Sequence, residues 1–386
     1  MMEWLLAGAT VTSVGAGAFA WSHVKSRGLD QWLPAYWACR HQRQDPRPGE
    51  PVHLLLCIGD HFEPKLGDAP PAQAQERVNR WCEDYPKLFQ HFRDSDGKPP
   101  QHTFFYPVEE YEPHYLDQLA ALCRAGFGEV EVHLHHNNDN SKNLRQTLLS
   151  FKTTLHERHG LLSKHKVTNE VGYAFIHGNW SLDNSRPDGR WCGVNNELDI
   201  LRETGCFVDM TLPSAPSPTQ TKTINSIYYA VDDPRKPKSH DRGIAVGVAP
   251  RPENSLLLIQ GPLLFDWSRR KWGLMPRIEN ACLQGNQAPN GHRLVLWLRS
   301  RIQVPQRPDW YFVKLHTHGA NEQNMPVLLG PAMQVFHQHL HELSRSNKSF
   351  FFHYVTAREM TNLVHAAESG LRGTVAESRD FIWQNR

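Results

Sequence analysis

The chain has 386 residues, with 42 Lys and Arg against 40 Asp and Glu, a formal charge of +2, 39% hydrophobic and 21% charged residues. That balance gives no sign of a nucleic-acid-binding or polybasic membrane-binding protein and excludes a disordered or fibrous chain, while the length allows two or three domains or one large α/β barrel. The 23 His outnumber the 12 Trp and the 10 Tyr, which directs attention to metal binding or acid–base chemistry near neutral pH.

The first element is a candidate membrane anchor. Residues 4–22 carry no charge, and about 19 residues rising about 1.5 Å each nearly cover the roughly 30 Å hydrocarbon layer of a bilayer. Trp4 and Trp21 stand at its ends as interfacial residues would. A cleaved signal peptide is the rival, but the stretch before it holds Glu3 and no Lys or Arg. Lys25 and Arg27, followed by Arg40, Arg43 and Arg47, place the body on the cytoplasmic side by the positive-inside rule, with the periplasm as the alternative. Seven cysteines without a C-x-x-C pair do not form a disulfide framework, in agreement with that side.

Residues 25–51 read as a polar connector, rich in Arg and Pro from Arg40 to Pro51. Beyond it, apolar runs of strand length alternate with segments of helical period, the pattern of βα units around a parallel sheet. The strands are expected at 52–58, 102–106, 129–135, 171–177, 206–210, 256–260, 294–298, 311–316 and 350–355. Helices are expected at 72–93, 113–125, 141–159, 194–204, 331–346 and 356–369. Pro113 and Pro331 suit a first helical turn, Ser141 and Thr356 are N-cap candidates, and Gly126, Gly205 and Gly370 fall where helices end. Residues 211–307 break the rhythm with Pro- and Gly-rich polar stretches and read as a loop-rich insertion. Residues 371–386 form a C-terminal tail, and His337, His339 and His341 read as surface positions on a helix.

Polar residues gather where strands end, which is where α/β proteins build their sites. Four clusters stand out: Gly59-Asp60-His61-Phe62-Glu63, His133-Leu134-His135-His136 with Asp139, His177-Gly178-Asn179-Trp180, and His316-Thr317-His318. Strand alternation puts His133 and His135 on one face and His136 on the other. His133, His135 and Asp139, joined by Asp60 from a neighbouring strand, offer N and O donors to a divalent ion such as Zn²⁺. An open coordination position there would serve hydrolysis. Any one of these histidines also fits a strand-end role, bonded to backbone carbonyls.

In this order the motifs resemble the polysaccharide deacetylase superfamily, over residues 53 to 356. The resemblance implies a distorted (β/α)7 barrel at 52–370, a bound divalent metal, and removal of acetyl groups from an N- or O-acetylated polysaccharide. It implies that Asp60 is the metal-binding Asp and that His135 with Asp139 stands for a His-x-x-x-His pair. It further implies that His316, in Leu315-His316-Thr317-His318, is the general acid, with His318 orienting it. Gly59 occupies the position of the family's general base, so that role passes to Glu63 or His61. His177, Asn179 and Trp180 occupy the place of a substrate-binding loop, and Trp180, Trp191, Trp267, Trp272 and Trp310 are candidates to stack on sugar rings. The partners expected are therefore a carbohydrate substrate and a membrane, with no nucleic acid. A phosphoesterase is the alternative enzyme, because H-x-H pairs also suit multinuclear sites. A carbohydrate-binding barrel without catalysis is the third reading.

Overall fold

A computed structural model describes residues 22, 24–25, 28–38, 44–47 and 49–385. The expected anchor falls, apart from Ser22 and Val24, outside the described residues, and among those described no helix is long and apolar enough to cross a membrane.

The strands are β1 (Val52–His61), β2 (His102–Pro107), β3 (Gly128–Leu134), β4 (Ser163–His165), β5 (Val171–His177), β6 (Cys206–Asp209), β7 (Ile227–Val231), β8 (Ile244–Ala245), β9 (Ser255–Ile259), β10 (Leu264–Lys271), β11 (Met275–Glu279), β12 (Cys282–Leu283), β13 (Trp310–Thr317), β14 (Phe350–Tyr354) and β15 (Trp383–Gln384). The helices of two turns or more are α1 (Leu29–Ala38), α2 (Pro71–Phe89), α3 (Pro113–Arg124), α4 (Ser141–Thr153), α5 (Glu197–Thr204), α6 (Gly291–Ser300), α7 (Pro331–Ser346) and α8 (Ala357–Glu368). One sheet runs β12-β13-β1-β2-β3-β5-β6-β9-β7-β8, with β14 also on β1 and β4 on β5. From β12 to β9 the neighbours are parallel, and β7 and β8 extend the sheet antiparallel. The fold is thus mixed α/β with a mostly parallel sheet; among the described residues the strand path ends at β12 and β8, and no pairing closes it into a barrel.

Strand alternation divides the apolar residues between two cores. Leu54, Leu56 and Ile58 of β1 face α2, α3, α6 and α7, where Trp81, Leu119, Trp297 and Phe336 are buried. Leu55 and Cys57 face the other way, against Phe105, Ile176, Leu257 and Phe312, and this second core is covered by Met360, Leu363 and Val364 of α8. Each fully buried side chain of this size contributes roughly 1.5–3 kcal/mol, so neither face is incidental. Lys314 of β13, wholly buried on the second face, reaches the chain leaving β6 and donates to the carbonyls of Met210 and Leu212 at 2.6 Å each.

Helix starts follow side-chain chemistry. Thr356 and Glu359 form a reciprocal capping box on α8. The N-cap of α4 is Asn140 rather than Ser141, its side chain accepting from the Asn143 N–H. The run 294–298, expected as a strand, is helix α6: Asn290 caps it by accepting from the Arg293 N–H, and an apolar run this short carries no period that separates strand from helix. The region 211–307 holds β7, β8, β9, the β10–β11 hairpin, β12 and α6 between its loops.

Two segments expected to be peripheral are packed. Within the connector, α1 buries Trp32 and Tyr36 beside Phe265, at ring distances of 5.1 and 5.0 Å. The C-terminal stretch is fixed by Arg379, whose guanidinium donates to Asp94, Asp96 and Glu359 and to the Tyr354 carbonyl. His337, expected at the surface, is buried and bonded to the Tyr354 hydroxyl, because that face of α7 packs on β14.

Candidate metal centre

At the carboxyl ends of the parallel strands, the alternation that sends Leu55 and Cys57 into the second core also sends His61 there, followed by Glu63. From β3 comes His133, from the loop after it His135, and from β13 His316 followed by His318. The His61 ring stacks on His318 at 4.7 Å and meets His133 edge-on at 4.8 Å. One ligand atom from each of His61, Glu63 and His133 lies within 4.8 Å of the others, and all three residues are buried.

The ring of His133 is oriented by its surroundings. Its Nδ1 donates to the Ile176 carbonyl at 2.7 Å, which turns Nε2 toward Glu63 Oε1 at 3.2 Å. That pair needs a second ring proton or a cation between its atoms, and Glu63 Oε2 is buried without a partner. An electropositive occupant resolves this arrangement. The residues therefore fit a divalent ion with N and O ligands, and His61, Glu63 and His133 are the set that would hold it.

Around this set the charges are sorted. Burial disfavours the charged form of His61, reinforced by His318 and His133, and holds it neutral. Burial likewise lowers the pKa of His318, against the pull of Glu63. For His135 burial is overcome by hydrogen bonds to Glu109 and Glu63, which raise it to about 10. Burial opposes charge on Glu63 too, yet bonds from His133 and His135 hold it well below the usual carboxylate range. Burial, with Lys314 beside it, keeps His316 neutral, its Nδ1 unpartnered. Trp180 closes the group, its ring 6.0 Å from His61 and 5.9 Å from His318.

Of the expected metal ligands, His133 and His135 are in this group; Asp60 and Asp139 are not. Asp60 is one residue from His61 and so projects from the opposite face of β1. There its Oδ2 meets His102 Nε2 at 2.8 Å and its Oδ1 accepts from the Gly319 N–H at 2.5 Å. Asp139 pairs instead with His136 Nδ1 at 3.0 Å. The structure does not bring Asp60, His135 and Asp139 to one point; the ligand atoms it brings together at these strand ends are those of His61, Glu63 and His133. Glu63, His61 and His318 are brought together as expected neighbours, and His316 lies deeper on the same face.

Of the substrate-loop residues, Trp180 reaches the centre, Asn179 occupies the turn before it at φ 55°, and His177 faces away, with Nε2 2.8 Å from His136 Nε2. Among the other tryptophans, Trp310 is fully buried beneath the Arg307 guanidinium, which excludes it from stacking on a sugar, while Trp267 and Trp272 are exposed on the β10–β11 hairpin. Sequence reasoning missed Glu109, which follows β2 and receives His135; its only signal was an acidic pair after an apolar strand. It also missed His102, whose strand-start position resembles an ordinary edge residue. A separate cluster, Asp94, Asp96 and His353, already holds the Arg379 cation. Compared with known proteins, the chain matches no family model and no curated sequence.

Proposed function

We propose that this chain is a metal-dependent hydrolase centred on His61, Glu63 and His133, with an N- or O-acetylated carbohydrate as substrate. The observation that carries the reading is the buried convergence of these three ligand atoms within 4.8 Å at the strand ends, ringed by His135 and His318. When bound, a divalent ion such as Zn²⁺ supplies Lewis acidity to a substrate oxygen and eases deprotonation of water.

The chain's own residues divide the proton work. His318 is neutral at pH 7 and stands beside His61, which suits it to take a proton as general base. His135, charged between Glu109 and Glu63, is placed to give a proton to a leaving oxygen or nitrogen. The general-acid role thus moves from His316 to His135, because His316 is buried and held neutral. Trp180 brings to the centre an indole of the kind sugar rings stack on, and together with the motif order it supports the carbohydrate assignment. Attachment to a membrane through residues 1–24 belongs to the same proposal.

Glu63→Gln is expected to lose the bound ion and at least about 10²-fold in turnover of an acetylated oligosaccharide, measured by acetate release beside metal analysis. Wild-type levels of both would overturn the reading. A phosphoesterase is favoured by one feature: five histidines (His61, His133, His135, His316, His318) and two glutamates exceed the needs of one ion. Turnover of a phosphate monoester in place of the acetylated sugar would select it, and sugar binding without turnover would select a non-catalytic barrel.

A further inference from the structure

On the opposite face of β3 and β5 lies a second convergence, built from four separate places in the chain. His136 follows β3, His177 ends β5, Cys192 lies in the connection from β5 to α5, and Glu197 opens α5. Their ligand atoms all lie within 4.8 Å of one another, and His177, Cys192 and Glu197 are fully buried. His136 Nε2 and His177 Nε2 face each other at 2.8 Å, and Glu197 Oε1 lies 3.2 Å from the first and 3.6 Å from the second.

The other atom of each group is already engaged. His136 Nδ1 bonds Asp139 Oδ2 at 3.0 Å, and His177 Nδ1 bonds the Gly178 carbonyl, so each ring is anchored through Nδ1 and the two Nε2 atoms are turned toward each other. Glu197 Oε2 accepts from the Asp183 N–H at 2.5 Å, which orients Oε1 inward. Cys192 Sγ accepts from the Asn184 and Val194 N–H groups at 3.3 and 3.4 Å and lies 3.4 Å from Glu197 Oε2, which fixes the sulfur beside the other three groups. Two ring nitrogens, a carboxylate oxygen and a sulfur converge on one buried point, an arrangement held either by shared protons or by a cation at the centre. The carboxylate–histidine arrangement of Asp139 and His136 is the usual outer support of a ligating imidazole.

We propose that His136, His177, Cys192 and Glu197 form a second metal site, structural rather than catalytic, that takes Zn²⁺ or an ion of similar preference. Two nitrogens, one sulfur and one oxygen suit a borderline-soft ion with four ligands, and four protein donors leave no position for substrate. Its work is to fix residues 178–196. That connection contains Asn179, Trp180, Asp183, Asn184 and Trp191 at positive φ, a run of strained residues that persists only when its surroundings over-determine it. The same connection carries Trp180 to the His61 centre, so an ion here would hold the rim of the first site.

Cys192 is the one sulfur in either cluster, which gives this site its own spectroscopic signature. The full-length chain, stripped of metal and loaded with Co²⁺, is expected to show a sulfur-to-cobalt charge-transfer band that Cys192→Ser abolishes and Glu63→Gln leaves in place. The hydrolase reading and this one therefore fail separately. Cys192→His, which keeps a ligand, is expected to fold and hold the ion without the sulfur band, and this variant decides the matter if Cys192→Ser fails to fold. Folded, cobalt-loaded wild type lacking the band would overturn the proposal and leave a proton shared by His136 and Glu197 as the occupant. Survival of the band in either Cys192 variant would overturn it as well.

Discussion

A Cβ on Gly178 would lie 2.3 Å from the His135 ring and 2.7 Å from the Leu134 carbonyl, closer than any real contact. Gly178→Ala should therefore push His135 off Glu63 and Glu109 without opening the core. On the role proposed for His135, a displacement of about 1 Å would cost on the order of 10²-fold in rate, so kcat should fall by that much while any bound metal is retained. Unchanged kcat in a variant with a displaced His135 would remove that residue from the mechanism. Asp96 makes a different kind of prediction. Burial opposes its charge, but His353 and Arg379 hold its pKa at about 2, below the usual 3.8. A carboxylate with a depressed folded value contributes stability that is complete above the unfolded pKa and is lost as pH falls through the folded one. The protein should lose on the order of 1–2 kcal/mol from this group between about pH 4 and pH 2. Denaturant titrations should show a shallower acid limb in Asp96→Asn; an identical limb would mean the pair adds nothing.

Among the elements, β13 carries the least expected residue, a lysine in an apolar interior. Burial lowers Lys314 to about 8, with Asp209 pulling the other way. Because the folded value lies below the usual 10.5, the unfolded chain binds more protons between about pH 8 and pH 10.5, and stability rises with pH across that window. Relative to Lys314→Met, the wild type should gain on the order of 2–3 kcal/mol over it, read from urea midpoints at each pH. A constant difference would show that the lysine stays charged or is hydrated. The strands around it were legible because their apolar runs alternate with helical periods, and the strand-end histidines were legible because β alternation is short-range. What could not be read was pairing across the sheet. Asp60 looked like a ligand until its face was known, and Glu197 and Cys192 lie about 60 residues from His136, a separation no local pattern spans. For α6 the failure was one of length, since an apolar run of five fits either period.

For the whole molecule, the ends of the chain are structural members. Arg379 joins the C-terminal stretch to Asp94, Asp96 and Glu359 in a nearly dry network. Removing one partner from such a network leaves the others buried and unpaired, so Arg379→Ala should cost about 3–5 kcal/mol and release amide protection in residues 375–385. A loss below about 1 kcal/mol would show that water replaces the guanidinium. The packing of α8 has a consequence for traffic. Its Met360, Leu363 and Val364 fill the second core beneath the histidine centre, against Leu55, Phe105 and Phe312. With that side filled by apolar side chains, no route to the centre opens through α8, so a substrate of the proposed hydrolase would have to approach from the strand ends.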